Sequence, residues 1–140
     1  MSVKSPGLGA GGLANLANYA TGTFTVTLTG MSPAVTGTAS YVIIGNTITL
    51  YLPTLTGTSN AAGKGLSGIP ALIRPTTGQQ WFVTVVDSTL TSNVGRLTIG
   101  TDGTATLYIV TPATGALTTT FTATGTFTLP PITATYVQAP

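Results

Sequence analysis

The sequence predicts an all-β protein, an antiparallel sandwich or barrel of about eight strands behind a short extended arm. Three observations carry the prediction. Apolar residues alternate with Thr at a period of two through much of the 140-residue chain, which is the pattern of half-buried strands. Thr, whose branched Cβ suits a pleated surface, supplies 32 residues. Turn formers, 18 Gly and 9 Pro, interrupt the alternation at short intervals, and no stretch carries a helical apolar period of any length.

Taken in order, residues 1–20 are rich in Gly and Ala, with isolated Leu8, Leu13, Leu16 and Tyr19. The Gly run opposes a stable helix, so this segment reads as an arm that orders on something else. The β domain occupies residues 21–140. Thr21 to Gly30 alternates Phe24, Val26 and Leu28 with Thr, a strand with one apolar face. Gly37 to Ile44 and Thr47 to Leu52 form a hairpin about Gly45-Asn46, residues that tolerate positive φ. In its second arm Ile48, Leu50 and Leu52 face one way, and Thr47, Thr49 and Tyr51 the other. Thr54 to Gly68 reads as a loop, and Ile69 to Pro75, bracketed by prolines, as at best an edge strand. Gln80 to Val86 is apolar on both faces, which places it centrally. Arg96 to Ile99 and Thr104 to Val110 flank the turn Gly100 to Gly103. Leu117 to Leu129 reads as one long strand bent at Gly125, and Ile132 to Val137 follows Pro130-Pro131.

Charge is the unusual property. Only 4% of residues are charged: Lys4, Lys64, Arg74, Arg96, Asp87 and Asp102. With no His and no Cys, the usual zinc sites, thiol nucleophiles and Ser-His-Asp triads are excluded, and disulfides with them. Two carboxylates are too few for most acid–base catalysis, so a non-enzymatic protein without a small-molecule cofactor is expected. Four scattered cations make no phosphate-binding patch, and nucleic acid is not an expected partner. No apolar run reaches the ~20 residues of a membrane-spanning helix, and the N-terminus lacks the apolar core of a signal peptide. Synthesis in the cytoplasm, without membrane association, is the expectation.

Apparent motifs dissolve on their context. Gly7 to Gly12 fits GxGxxG, but no strand precedes it and no acid follows within reach. Gly57 to Gly65 suggests a phosphate loop, yet Thr58 stands where the pattern requires Gly and Gly65 where it requires Ser or Thr; a long surface loop is the better reading. Asp102 lies in a Gly-flanked turn, where Asp commonly bonds its own backbone, and Asp87 opens a loop. Trp81, Tyr41, Tyr51, Tyr108 and Tyr136 could stack on sugars, but at alternating strand positions they read first as core or interface.

No charge falls between Lys4 and Lys64 or after Asp102, and most strands lie in those two stretches. Monomeric β proteins protect exposed edges with charge, especially Lys. Its omission here predicts edges covered by other copies, in a homo-oligomer of closed symmetry, a trimer by preference.

Several segments together resemble the Thr/Gly-rich β domains of tailed-bacteriophage virion proteins. They are Gly22 to Gly30; Tyr41, Gly45-Asn46, Ile48, Leu50 and Pro53; Thr56 to Asn60; Ile69-Pro70-Ala71 with Arg74-Pro75; Ile99 with Asp102-Gly103-Thr104; Phe121 to Thr126; and Ile132 with Tyr136. The resemblance spans residues 21–137 and implies a jelly-roll-like sandwich, a trimer and a place on the outside of the virion. With only a short arm ahead of the domain, it implies a capsid decoration (cement) protein that stabilises the outer capsid surface, with the major capsid protein as partner. Lys4, Leu8, Leu13, Leu16 and Tyr19 would contact the capsid. The alternative it implies is the receptor-binding tip of a tail or head fibre. Such a tip would meet host glycans through loop positions including Thr58, Ser59, Asn60, Lys64, Arg74 and Trp81.

Overall fold

The computed structural model describes residues 19–88, 91–111 and 113–138. Its strands are β1 (Tyr19–Thr29), β2 (Val35–Ile44), β3 (Thr47–Leu52), β4 (Leu55–Thr58), β5 (Gly65–Ser67), β6 (Gln79–Asp87), β7 (Thr91–Ile99), β8 (Ala105–Val110), β9 (Leu117–Thr118), β10 (Thr126–Leu129) and β11 (Ile132–Val137). All pair antiparallel in one sheet, in the order β11-β3-β2-β1-β5-β8-β7-β6-β10-β4, with β9 added to β8. The all-β antiparallel expectation holds. Among the described residues the strand number is eleven rather than about eight, and hydrogen bonding runs through one curled sheet rather than dividing between two.

The curl follows from connectivity. β3, next to last at one end of the sheet order, and β4, last at the other, are separated only by Pro53 and Thr54, so Leu52 and Leu55 can be no more than about 11 Å apart. Pro130 and Pro131 join β10 to β11 in the same way. Proline has no N–H for the ladder, so each ladder stops and the chain turns to the facing flank. The flanks then touch. A Cβ on Gly57 of β4 would collide with Val35 Cγ2 of β2, so the bare glycine is what lets the two strands approach without displacing Val35. The Trp81 and Tyr136 rings meet at 5.8 Å, linking β6 to β11.

The alternation works as read. Val26 and Leu28 of β1, Ile48, Leu50 and Leu52 of β3, Leu97 and Ile99 of β7, and Ala134 and Tyr136 of β11 enter one core, which Ile73, Phe121 and Phe127 complete. Each large side chain there contributes about 1.5–3 kcal/mol by leaving water. The β2–β3 hairpin turns at Gly45, whose φ of 60° lies in the left-handed region.

Four local expectations are corrected. Ile69 to Pro75 is no strand but carries a 3-10 turn at Ala71–Ile73 that drops Ile73 into the core. Thr54 to Gly68, read as a loop, contains β4 and β5. Leu117 to Leu129 is broken into β9 and β10, because the backbone of its middle bonds outside a ladder: Thr120 N–H donates to the nearby Thr118 Oγ1 at 3.1 Å, and Phe121 N–H to Ala62 O of a distant segment at 3.0 Å. The expected two-sided burial of Gln80 to Val86 also fails. β6 lies third from the β4 end of the order rather than centrally, β10 pairs with it only at Val86 and Asp87, and Phe82 on its outer face stays 77% exposed.

Tyr136 gives the fold a titration signature. Its ring is buried and its hydroxyl donates to the Ile73 carbonyl, and burial pushes the phenol from 10.0 up to about 12. A folded-state value above the unfolded one means stability fully present below pH 10, then lost as pH rises toward 12. The expected loss across that window is about 2–3 kcal/mol, read from urea unfolding at pH 9 and 12. Lys64, lowered from 10.5 by burial, acts in the opposite direction, with stability rising as pH approaches its unfolded value. Both proteins in a comparison with Tyr136→Phe retain Lys64, so the comparison isolates the phenol. A Tyr136→Phe protein that lost as much stability between the two pH values would contradict this assignment.

Candidate functional site

The residues singled out from sequence do not converge on one site. Lys4, Leu8, Leu13 and Leu16 lie outside the described residues. Tyr19 begins β1, 55% exposed. Thr58 is exposed at the end of β4, opposite Thr126. Asn60 is exposed, its N–H donating to Gly30 O at 3.0 Å. Arg74 is half-buried beside the Gly100–Gly103 turn, its Nε donating to Ile69 O at 3.2 Å. Trp81 faces the core rather than solvent.

Ser59 and Lys64 do come together, but not on a surface loop. Both are buried. The Lys64 ammonium donates to Ser59 Oγ at 2.6 Å and to the Ala61 carbonyl, and lies 5.6 Å from the Phe127 ring centroid. Ser59 Oγ donates onward to Thr122 O at 2.6 Å, while the Thr122 N–H and hydroxyl donate to Asp87 Oδ2 at 2.8 and 3.0 Å. Burial lowers the Lys64 pKa and the Asp87 charge partly restores it. This network ties segment 59–64, the end of β6 and segment 121–125 together. The Lys64, Ser59 and Thr122 groups are turned on one another and on Asp87 Oδ2, so the network is a clasp and not a ligand site.

The open chemistry lies on the outer face of β6, β7 and β8. Antiparallel register sets Phe82 opposite Arg96 and Arg96 opposite Tyr108, so three side chains form one row across strands spaced about 4.8 Å apart. Trp81, Val83, Leu97 and Leu107 point the other way, into the core. The Arg96 guanidinium carbon stands 4.5 Å from the Tyr108 ring centroid. Among the described residues it makes no hydrogen bond or ion pair, and its Nε is buried without a partner. Beyond Phe82 a groove of ≈ 440 Å³ opens, walled by Phe82, Val94, Pro130, Pro131 and Thr133. No charge lines it. The groove exists because the β10–β11 corner turns away where β10 stops pairing with β6.

Sequence reading missed Phe82 and Arg96. The available signal was Arg96 itself, the one charged residue at an outward strand position, with an aromatic on the next strand at Tyr108. The described residues contain no cluster of three or more potential metal ligands, and none of their helices is long and apolar enough to cross a membrane. The arrangement is suited to contact and to stacking.

No protein-family model matches the chain, and no curated protein sequence is significantly similar to it. Among solved structures it is similar to a reovirus attachment protein, sigma1, determined in complex with alpha-2,3-sialyllactose. The two share 16% identity with a TM-score of 0.53, over 86% of this chain and 67% of that one. At this identity the likeness is one of fold: the curled antiparallel sheet is shared with a viral attachment protein.

Proposed function

We propose that this chain is a non-enzymatic attachment domain of a bacteriophage virion, the receptor-binding tip of a fibre, which meets host-surface glycan through the outer β6–β8 face and its groove. The observation that carries the reading is the fold shared with a viral attachment protein over most of the chain. The exposed Phe82 and the uncharged groove support it, since sugar rings present apolar faces that stack on aromatic side chains. Capsid decoration is the second reading. It rests on an arm of which only Tyr19 and Ala20 lie among the described residues, both in β1, and no observation favours it over attachment. The row Tyr19–Ile44–Thr47–Val137, in register across β1, β2, β3 and β11, supports a homo-oligomer. Tyr19, Ile44 and Val137 are more than half exposed there, on a face without charge that a second copy could cover at little desolvation cost.

The test uses labelled full-length protein, sized by light scattering and added to susceptible cells. The expected result is a multiple of 14.0 kDa, saturable attachment, and delayed infection through competition with intact virions. Absence of saturable attachment, with hundreds of copies per particle on a quantified gel, would overturn the reading in favour of decoration.

A further inference from the structure

We propose that Phe82, Arg96 and Tyr108 form a subsite for the carboxylate of an acidic saccharide. This rests on the attachment reading and gives it a ligand class. Among the described residues Lys64 lies near Asp87 and Arg74 near Asp102, while Arg96 makes no ion pair or hydrogen bond and its Nε is buried without a partner. Arg96 is left over, the one charge on the outer faces of β6, β7 and β8. In a chain that has all but eliminated charge, a cation held at a strand position over an aromatic ring, with no carboxylate among the described residues paired to it, is placed to take an anion from elsewhere.

Its presentation narrows the choice of anion. The guanidinium lies over the Tyr108 ring, which holds it on this face by a cation–π contact, while no described residue accepts a hydrogen bond from its terminal N–H groups. A planar carboxylate matches such a fork with two parallel hydrogen bonds. Recognition of phosphate polymers depends on several cations acting together, and this face has one. Directly opposite Arg96 stands Phe82, 77% exposed, a platform about one strand spacing away for the apolar face of the ring that bears the carboxylate. The neutral groove beyond Phe82 then offers room for neighbouring sugar units.

The experiment is calorimetric titration of the full chain with a uronate-containing and a sialylated oligosaccharide, each beside its carboxyl-reduced, neutral counterpart. A sulfated oligosaccharide serves as a further arm. At least one acidic form should bind about tenfold or more tightly than its reduced counterpart, in proportion to hydrogen bonds made to a charged group. Which one does so identifies the source of the carboxylate. Arg96→Gln should bring the two forms within about twofold, and Arg96→Lys, which keeps charge but not the fork, should retain part of the preference. Phe82→Ala, at an exposed position, should weaken both forms without lowering the melting temperature. The subsite is overturned if Arg96→Gln keeps the acid preference, if the sulfated sugar binds as well as the carboxylated one, or if no acidic saccharide binds. Cell attachment by wild type that Arg96→Gln leaves unchanged would retain the attachment reading and remove only the carboxylate. Acid-selective binding without cell attachment would do the reverse.

Discussion

Phe127→Ala is expected to lower stability by about 3–5 kcal/mol, the largest effect of any single substitution considered. The ring has no exposed surface and meets Phe121 edge-on, at 5.5 Å and 89°, an arrangement that aromatic quadrupoles favour. Position matters as much as volume. Phe127 lies on β10, a four-residue strand opposite Gly57 of β4 and Asp87 of β6, so it holds the terminal strand of the sheet order to the rest. It also underlies the Lys64 ammonium. A cavity there removes core contact and loosens the clasp above it. For a domain of this size the loss corresponds to roughly 10–15 °C in melting temperature, measurable by calorimetry and by urea titration. Phe82→Ala is the control: an aromatic of the same size, exposed, and expected to change stability by no more than about 0.5 kcal/mol. A loss below about 1 kcal/mol at Phe127 would mean that β10 is not the anchor described.

How far the fold can be read from sequence depends on how local its causes are. β1 and the β2–β3 hairpin announce themselves because Phe24, Val26 and Leu28, then Ile48, Leu50 and Leu52, repeat at period two beside a Gly45-Asn46 turn. The Gly100–Gly103 turn is equally plain, with Asp102 Oδ1 accepting from the Thr104 N–H and hydroxyl at 3.0 and 2.7 Å. β4 and β5 are not legible. They are four and three residues long, and their partners lie far off in the chain, β10 for β4 and β1 and β8 for β5. Short strands of this kind carry too few residues for a period to show.

The site follows the same rule. Trp81-Phe82-Val83 reads as apolar on both faces, and sequence does not reveal that β10 leaves the upper part of β6 uncovered. Hydrophobic alternation assigns faces but not neighbours. The curl of the sheet, set by two short proline corners, decides which outward face becomes a groove.

Lys64 is the extreme case, and its replacement is the second large effect expected. A lysine between Gly63 and Gly65, in a stretch rich in small residues, reads as solvated; instead its ammonium is enclosed by groups supplied from Ser59, Ala61, Phe127 and the neighbourhood of Asp87. Lys64→Met preserves most of the stem and volume and removes only the ammonium. It leaves Ser59 Oγ and the Ala61 carbonyl without their charged donor, and the buried Asp87 without its neighbouring cation. Hydrogen bonds to charged groups contribute about 1.5–3 kcal/mol each, and their partners are only partly re-solvated here, so a loss of about 2–4 kcal/mol is expected. Asp87→Asn keeps an acceptor for Thr122 and removes the charge. If Lys64 and Asp87 act as a pair, the double variant should be more stable than the sum of the two single losses predicts, by at least about 0.5 kcal/mol. Additive losses would show that Lys64 works through Ser59 and Ala61 alone, and a Lys64→Met protein as stable as wild type would show that the clasp does not hold these segments together. Saccharide binding at Arg96 should survive Lys64→Met wherever the protein is folded, because the clasp faces the interior and the Phe82–Arg96–Tyr108 row faces out.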